Sequence, residues 1–103
     1  MISVVFFNDN GSLRGFRLSG HAGVAESGRD IVCAAVSSAA YLTANTVTDV
    51  AGIPADVAEK DGLLELKVAP QDAATVGVVL NGFRLHMTQL AEQYPQQITI
   101  TEV

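Results

Sequence analysis

The chain has 103 residues, 49% of them hydrophobic, with a mean hydropathy of +0.30 and a formal net charge of −5. That length supports one core and not two, so residues 1–103 read as a single domain. Clustered Lys and Arg that would neutralise phosphate are missing, which excludes a direct nucleic-acid partner, and a single Cys excludes a disulfide scaffold.

The first residues, MISVVFFNDNG, lack the charged start and small-residue cleavage site of a signal peptide. No apolar run approaches the roughly 20 residues of a bilayer span, so no membrane association is expected. A free thiol then fits a reduced cytoplasm. Residues 2–7 are β-branched and aromatic and predict a strand; Asn8-Asp9-Asn10-Gly11 is a dense turn signal. Residues 13–19 alternate, with Phe16 and Leu18 on one face, completing a hairpin. His21 falls just beyond it. Gly20, Gly23 and Gly28, with Glu26, Ser27 and Arg29 among them, predict a surface loop able to close as a lid.

Asp30 is placed as the N-cap of a helix running from residue 31 to Gly52, where Gly52 and Pro54 supply the stop. Its apolar stripe is Val32, Val36, Ala39, Thr43, Val47 and Val50. Residues 57–60 and 63–68 flank Asp61-Gly62, a two-residue hairpin signal. Pro70 and Asp72 introduce a second helix with Val76, Leu80, Phe83, Met87, Leu90 and Tyr94 on its core face. Pro95 ends it, and residues 98–103 alternate like a final strand. The order ββαββαβ predicts an α+β fold, two helices packed on a mixed or antiparallel sheet.

The chemistry-bearing segment is GHAGVAESGRDIVCAAVS, residues 20–37, which holds the lone Cys33 and, twelve residues upstream, His21. With Asp30 as cap, Cys33 falls in the first helical turn, where free amides and the helix dipole favour a thiolate. A neighbouring His21 would take the thiol proton and later return it to a leaving amine. The free amides are candidates for an oxyanion hole. Asp30 opposes a thiolate by its charge but could orient an imidazole. Ser37, one turn on, shares the Cys33 face and could hydrogen-bond the thiolate or the substrate.

Each of these residues has a plainer reading. A lone Cys in an apolar helix is most often a small buried hydrophobe. A His at a strand end is commonly a surface residue, the serine a solvated one, and the glycines turn formers. His86, the second histidine, reads as structural. A phosphatase loop, a thioredoxin-like pair and a zinc site each lack required residues: no Arg closes a Cys-x5-Arg loop, no second Cys exists, and no zinc-ligand spacing occurs. No metal or cofactor is expected.

The run SGHAGVAESGRDIVCAAVS resembles the signature of the ribosomal-processing cysteine protease Prp family, and the likeness extends into GLLELKV and LNGFRLHMTQLAEQYPQQITI. The resemblance implies a catalytic dyad at His21 and Cys33, with Asp30 and Ser37 at supporting positions. It further implies a homodimer that removes a short N-terminal extension from the twenty-seventh protein of the large ribosomal subunit, cutting after paired phenylalanines. A different class of function, a non-catalytic ribosome-associated binding module with a structural thiol, stands beside it.

Overall fold

The computed structural model describes residues 1–20 and 31–103 in full and residues 27–30 as backbone. The first two strands, β1 (Ile2–Asp9) and β2 (Ser12–Ser19), pair antiparallel through Asn10 and Gly11, whose φ values of 53° and 86° are both positive. A two-residue loop of that kind matches the twist of the strands, and Asn followed by Gly is the pair that tolerates it. Asn8 Oδ1 accepts a bond of 2.9 Å from the Gly11 amide. The register slips between Phe7 and Asn8, leaving Arg14 as the extra residue of a bulge. This slip is why Leu13 and Phe16, three apart rather than two, are both buried.

Helix α1 (Ser27–Asn45) continues as a π turn over Thr46–Val50, where the Ala51 amide donates to the Thr46 carbonyl at 2.8 Å. Thr43, Thr46 and Thr48 each donate a hydroxyl back to the carbonyl four residues earlier. Such back-bonding loosens the helical ladder. The wider turn rotates the last residues off the apolar stripe, so Val50 is 80% exposed where burial was expected, while Val32, Val36, Thr43 and Val47 are buried.

Strands β3 (Ala55–Lys60) and β4 (Leu63–Val68) form the second hairpin, with Gly62 at φ 76°. A short 3-10 turn, Pro70–Asp72, then leads into α2 (Ala73–Gln93), and β5 (Ile98–Glu102) closes the chain. The sheet order is β3-β4-β2-β1-β5; β5 runs parallel to β1 and the other pairings are antiparallel, so the sheet is mixed.

One sheet face carries Val4, Phe6, Phe16, Leu66 and Ile98 into a core shared with Val32 and Val36 of α1 and with Leu80 and Met87 of α2. Phe83 of α2 anchors it, its ring 5.6 Å from Phe6 and 4.7 Å from Phe16. The expected α2 stripe is buried through Met87, and Leu90 and Tyr94 pack at its margin. The opposite sheet face bears Phe7, with Lys67 4.4 Å and Arg17 5.8 Å from its ring centre.

Two expectations need correction. The 20-residue segment Ile31–Val50 is long and apolar enough, by length and composition, to cross a bilayer. The sequence reading missed it because Ser and Thr interrupt the run. Here the buried side of that helix packs on the sheet as part of the core. Second, α1 begins at Ser27 and not at Asp30, so Asp30 is not its N-cap. Gly28 weakens a helix by about 1 kcal/mol without forbidding it, and an acidic residue is tolerated well in a first turn.

Candidate active site

Cys33 is half-buried on α1, packed at the edge of the core. With the helix starting at Ser27, it is the seventh helical residue, beyond the first turn. The free amides that were expected beside it belong to the helix start, and the dipole effect fades within that first turn. Helix position alone therefore gives the thiol less help than the sequence suggested.

What surrounds Cys33 is a cavity of about 450 Å³. Cys33, Ser37 and Tyr41, spaced by one turn each, line one side of it, as the spacing of four predicts. Leu18 and Gly20 at the end of β2, and Glu59, Asp61 and Gly62 of the second hairpin, line the other side. Gly20 sits at φ 93°, and its amide donates to the Gly62 carbonyl at 3.0 Å. A Cβ there would approach the Met1 carbonyl oxygen to 2.3 Å. Backbone conformation and close packing both demand glycine at this point.

The lid assignment is thus narrowed. Gly20 belongs to the fixed frame of the cavity, and Gly28 lies within α1. Gly23 and His21 lie outside the described residues, and so does the Asp30 side chain. The structure brings Cys33, Ser37 and Gly20 to one cavity. His86 is elsewhere: it is exposed on α2 and lines a separate cleft of about 270 Å³ between the two helices.

Sequence reasoning missed Tyr41 and Glu59. The Tyr41 hydroxyl donates to the Glu59 carboxylate, joining α1 to β3 across the cavity. That hydrogen bond, reinforced by partial desolvation and the negative charge of Glu59, holds the Tyr41 phenol above its ordinary pKa. Tyr41 was open to detection, lying two turns after Cys33 on the same face. Glu59 was not, since only the strand pairing carries it there. Among the described residues, no group of three His, Cys, Asp or Glu side chains could hold a metal ion.

The family model for "Cysteine protease Prp" matches residues 1–99. The chain belongs to the Prp family of cysteine proteases. Solved structures agree on the fold. The ribosomal processing protease Prp of S. aureus in complex with a substrate peptide superposes with a TM-score of 0.88 at 23% identity, over all of both chains. The same protease with a covalently linked product peptide gives 0.87 at 24% identity, again over both whole chains. SMU.848 from Streptococcus mutans is 31% identical, with a TM-score of 0.82 over all of this chain and 94% of that one. No curated protein sequence matches the chain. Within a Prp-family cysteine protease, the cavity that contains the lone cysteine is the place to look for chemistry.

Proposed function

We propose that the chain is a ribosomal-processing endopeptidase in which Cys33 is the nucleophile and His21 its base, acting on the N-terminal extension of the twenty-seventh large-subunit protein. One observation carries this reading: the single cysteine of a Prp-family protease lines a cavity large enough for peptide side chains. Chain connectivity supports His21, because its covalent neighbour Gly20 lines the same cavity.

In this mechanism His21 takes the Cys33 proton and the sulfur attacks the scissile carbonyl, forming a C–S bond and an oxyanion. Collapse of the tetrahedral intermediate breaks the C–N bond, and the His21 imidazolium protonates the departing amine. Water, deprotonated by His21, then attacks the thioester, releasing the carboxylate product and restoring the thiol. Asp30 orients the imidazole, and the Ser37 hydroxyl, on the Cys33 face, hydrogen-bonds the sulfur or the peptide.

We also propose that the protein acts in the cytoplasm as a homodimer, with the α1–α2 face as its interface. That face presents Leu42, Val78 and Leu85, respectively 69%, 89% and 59% exposed, around the cleft that His86 lines. The deciding experiment is cleavage of a synthetic extension peptide, followed by mass spectrometry, together with iodoacetamide labelling of Cys33 across pH. Cleavage at one bond with labelling well below pH 8.5 supports the dyad. An unlabelled thiol with no cleavage would leave a binding module.

A further inference from the structure

The cavity beside Cys33 is not chemically uniform along its length, and the strand register explains why. Leu18 of β2 pairs with Leu64 of β4, and Leu64 pairs with Glu59 of β3. Directly opposed residues share a sheet face. Leu18 and Leu64 are buried on the helix side, so Glu59 belongs to that side too. A floor of three residues therefore runs across the sheet, apolar for two positions and anionic at the third.

Above this floor, Cys33, Ser37 and Tyr41 form a second row along α1. Eight helical residues advance about 12 Å, and two strand spacings cover about 10 Å. The two rows match in length. The Tyr41–Glu59 hydrogen bond joins them at one end, which places Cys33 toward Leu18 and Gly20 at the other. A carboxylate offers about four acceptor positions. Tyr41 occupies one and fixes the orientation of Glu59, leaving acceptor capacity on a group that lines the cavity. Lys60, the next residue of β3, also lines the cavity, but among the described residues it makes no ion pair with Glu59.

We infer that Glu59, oriented by Tyr41, is a specificity-determining residue that receives a basic side chain of the bound peptide about three residues from the scissile bond. The distance follows from an extended peptide, which advances about 3.3 Å per residue, measured from the Cys33 end of the cavity to Glu59. The leucines select an apolar residue nearer the cut. The inference rests on the reading of Cys33 as nucleophile only for its placement of the scissile bond. The Glu59 subsite itself is a binding property.

Binding and cleavage therefore test it separately. Fluorescently labelled peptides spanning the extension junction would be made with lysine, glutamate or norleucine at each of the second to fourth residues on either side of the cut. Their affinities for Cys33→Ala protein would be read by anisotropy. At one position the lysine peptide should bind roughly tenfold tighter than its norleucine twin, the order expected of a charge-assisted hydrogen bond. Glu59→Gln should erase that ratio, Glu59→Lys should invert it in favour of a glutamate peptide, and Tyr41→Phe should keep only part of it. An unchanged ratio in Glu59→Gln overturns the inference, and so does equal weakening of both twins, which would mark Glu59 as merely structural. Wild-type protein would be assayed for cleavage of the same peptides. Cleavage without a Glu59-dependent ratio removes the subsite and leaves the protease reading intact. A Glu59-dependent ratio without cleavage does the reverse.

Discussion

At the scale of single residues, the strongest expectations fall on Cys33 and His21. Cys33→Ser is nearly isosteric, so it should melt like the parent while losing peptide cleavage altogether; turnover at the parent rate would refute a cysteine nucleophile. His21→Ala should lower kcat/KM by about 10²–10⁴-fold, the usual contribution of general acid–base catalysis, and should raise the pH at which Cys33 alkylates. His86→Ala is the matched control, because His86 lines the separate interhelical cleft, and its kcat/KM should stay near the parent value. Glu65 offers a pH-dependent test of the fold. Arg17 donates to it at 2.9 Å and Lys67 lies 3.5 Å away, and the Arg17 hydrogen bond, ahead of the two positive charges, holds the Glu65 carboxyl below its ordinary pKa of 4.5. A carboxyl depressed in the folded state contributes stability above its unfolded pKa, and that contribution disappears as pH falls through the folded value. Glu65→Gln should therefore be less stable than the parent at pH 7, by under about 1 kcal/mol for so exposed a pair. Urea denaturation at pH 7 and near pH 3 should show the gap closing at the lower pH. A gap independent of pH would assign the loss to packing.

The elements explain which parts of the molecule were legible from sequence. Strands and α2 were readable because apolar period and turn residues coincide: Asp61-Gly62 and the Val76 to Met87 stripe translate directly into the second hairpin and the core face of α2. The two ends of α1 were not readable. At its start, the polar Ser27-Gly28-Arg29-Asp30 composition reads as loop, although nothing in it forbids helix. At its finish, the π turn depends on threonine back-bonding that has no apolar signature. The bulge at Arg14 is equally silent, since it appears only when β1 fixes the register of β2. Half of the cavity was legible for the same reason, the half that α1 supplies at intervals of four. Glycines separate these cases in the laboratory. A Cβ at Gly77 would meet nothing within 4 Å, so Gly77→Ala should stabilise the protein by about 0.5–1 kcal/mol through helix propensity. A Cβ at Gly15 would fall 1.8 Å from the Leu66 carbonyl oxygen, at one end of the β2–β4 pairing. Gly15→Ala should cost at least the roughly 1–3 kcal/mol of an overpacked core. Thermal melts of both variants would show opposite shifts, and shifts of the same sign would contradict this backbone register.

For the whole molecule, the asymmetry between its two outer surfaces sets the last expectation. The sheet's open face satisfies its own apolar surface, with Phe7 covered by Arg17 and Lys67 and those cations paired through Glu65. The helical face does not. Leu42 on α1 and Val78 and Leu85 on α2 stand out from a face whose cleft is lined by Ala39, Val79, Gly82 and Phe83. Monomers rarely leave large contiguous apolar patches uncovered, and a two-fold axis through such a face would set each copy's Leu42 against the other's cleft. Charge repulsion would be largest if the copies met through their acidic edges, whereas residues 31–50, in α1 and the π turn that follows it, include Asp49 as their only charged residue. Sedimentation of the parent protein at micromolar concentration should therefore give a dimer. Leu42→Glu combined with Leu85→Glu should give a monomer with an unchanged melting profile at high dilution, because both side chains are already exposed in one copy. Replacing the exposed Val57 on the far edge strand with glutamate should leave the dimer in place. A parent protein that sediments as a monomer, or a dimer that survives the paired glutamates, would move the interface off the helices.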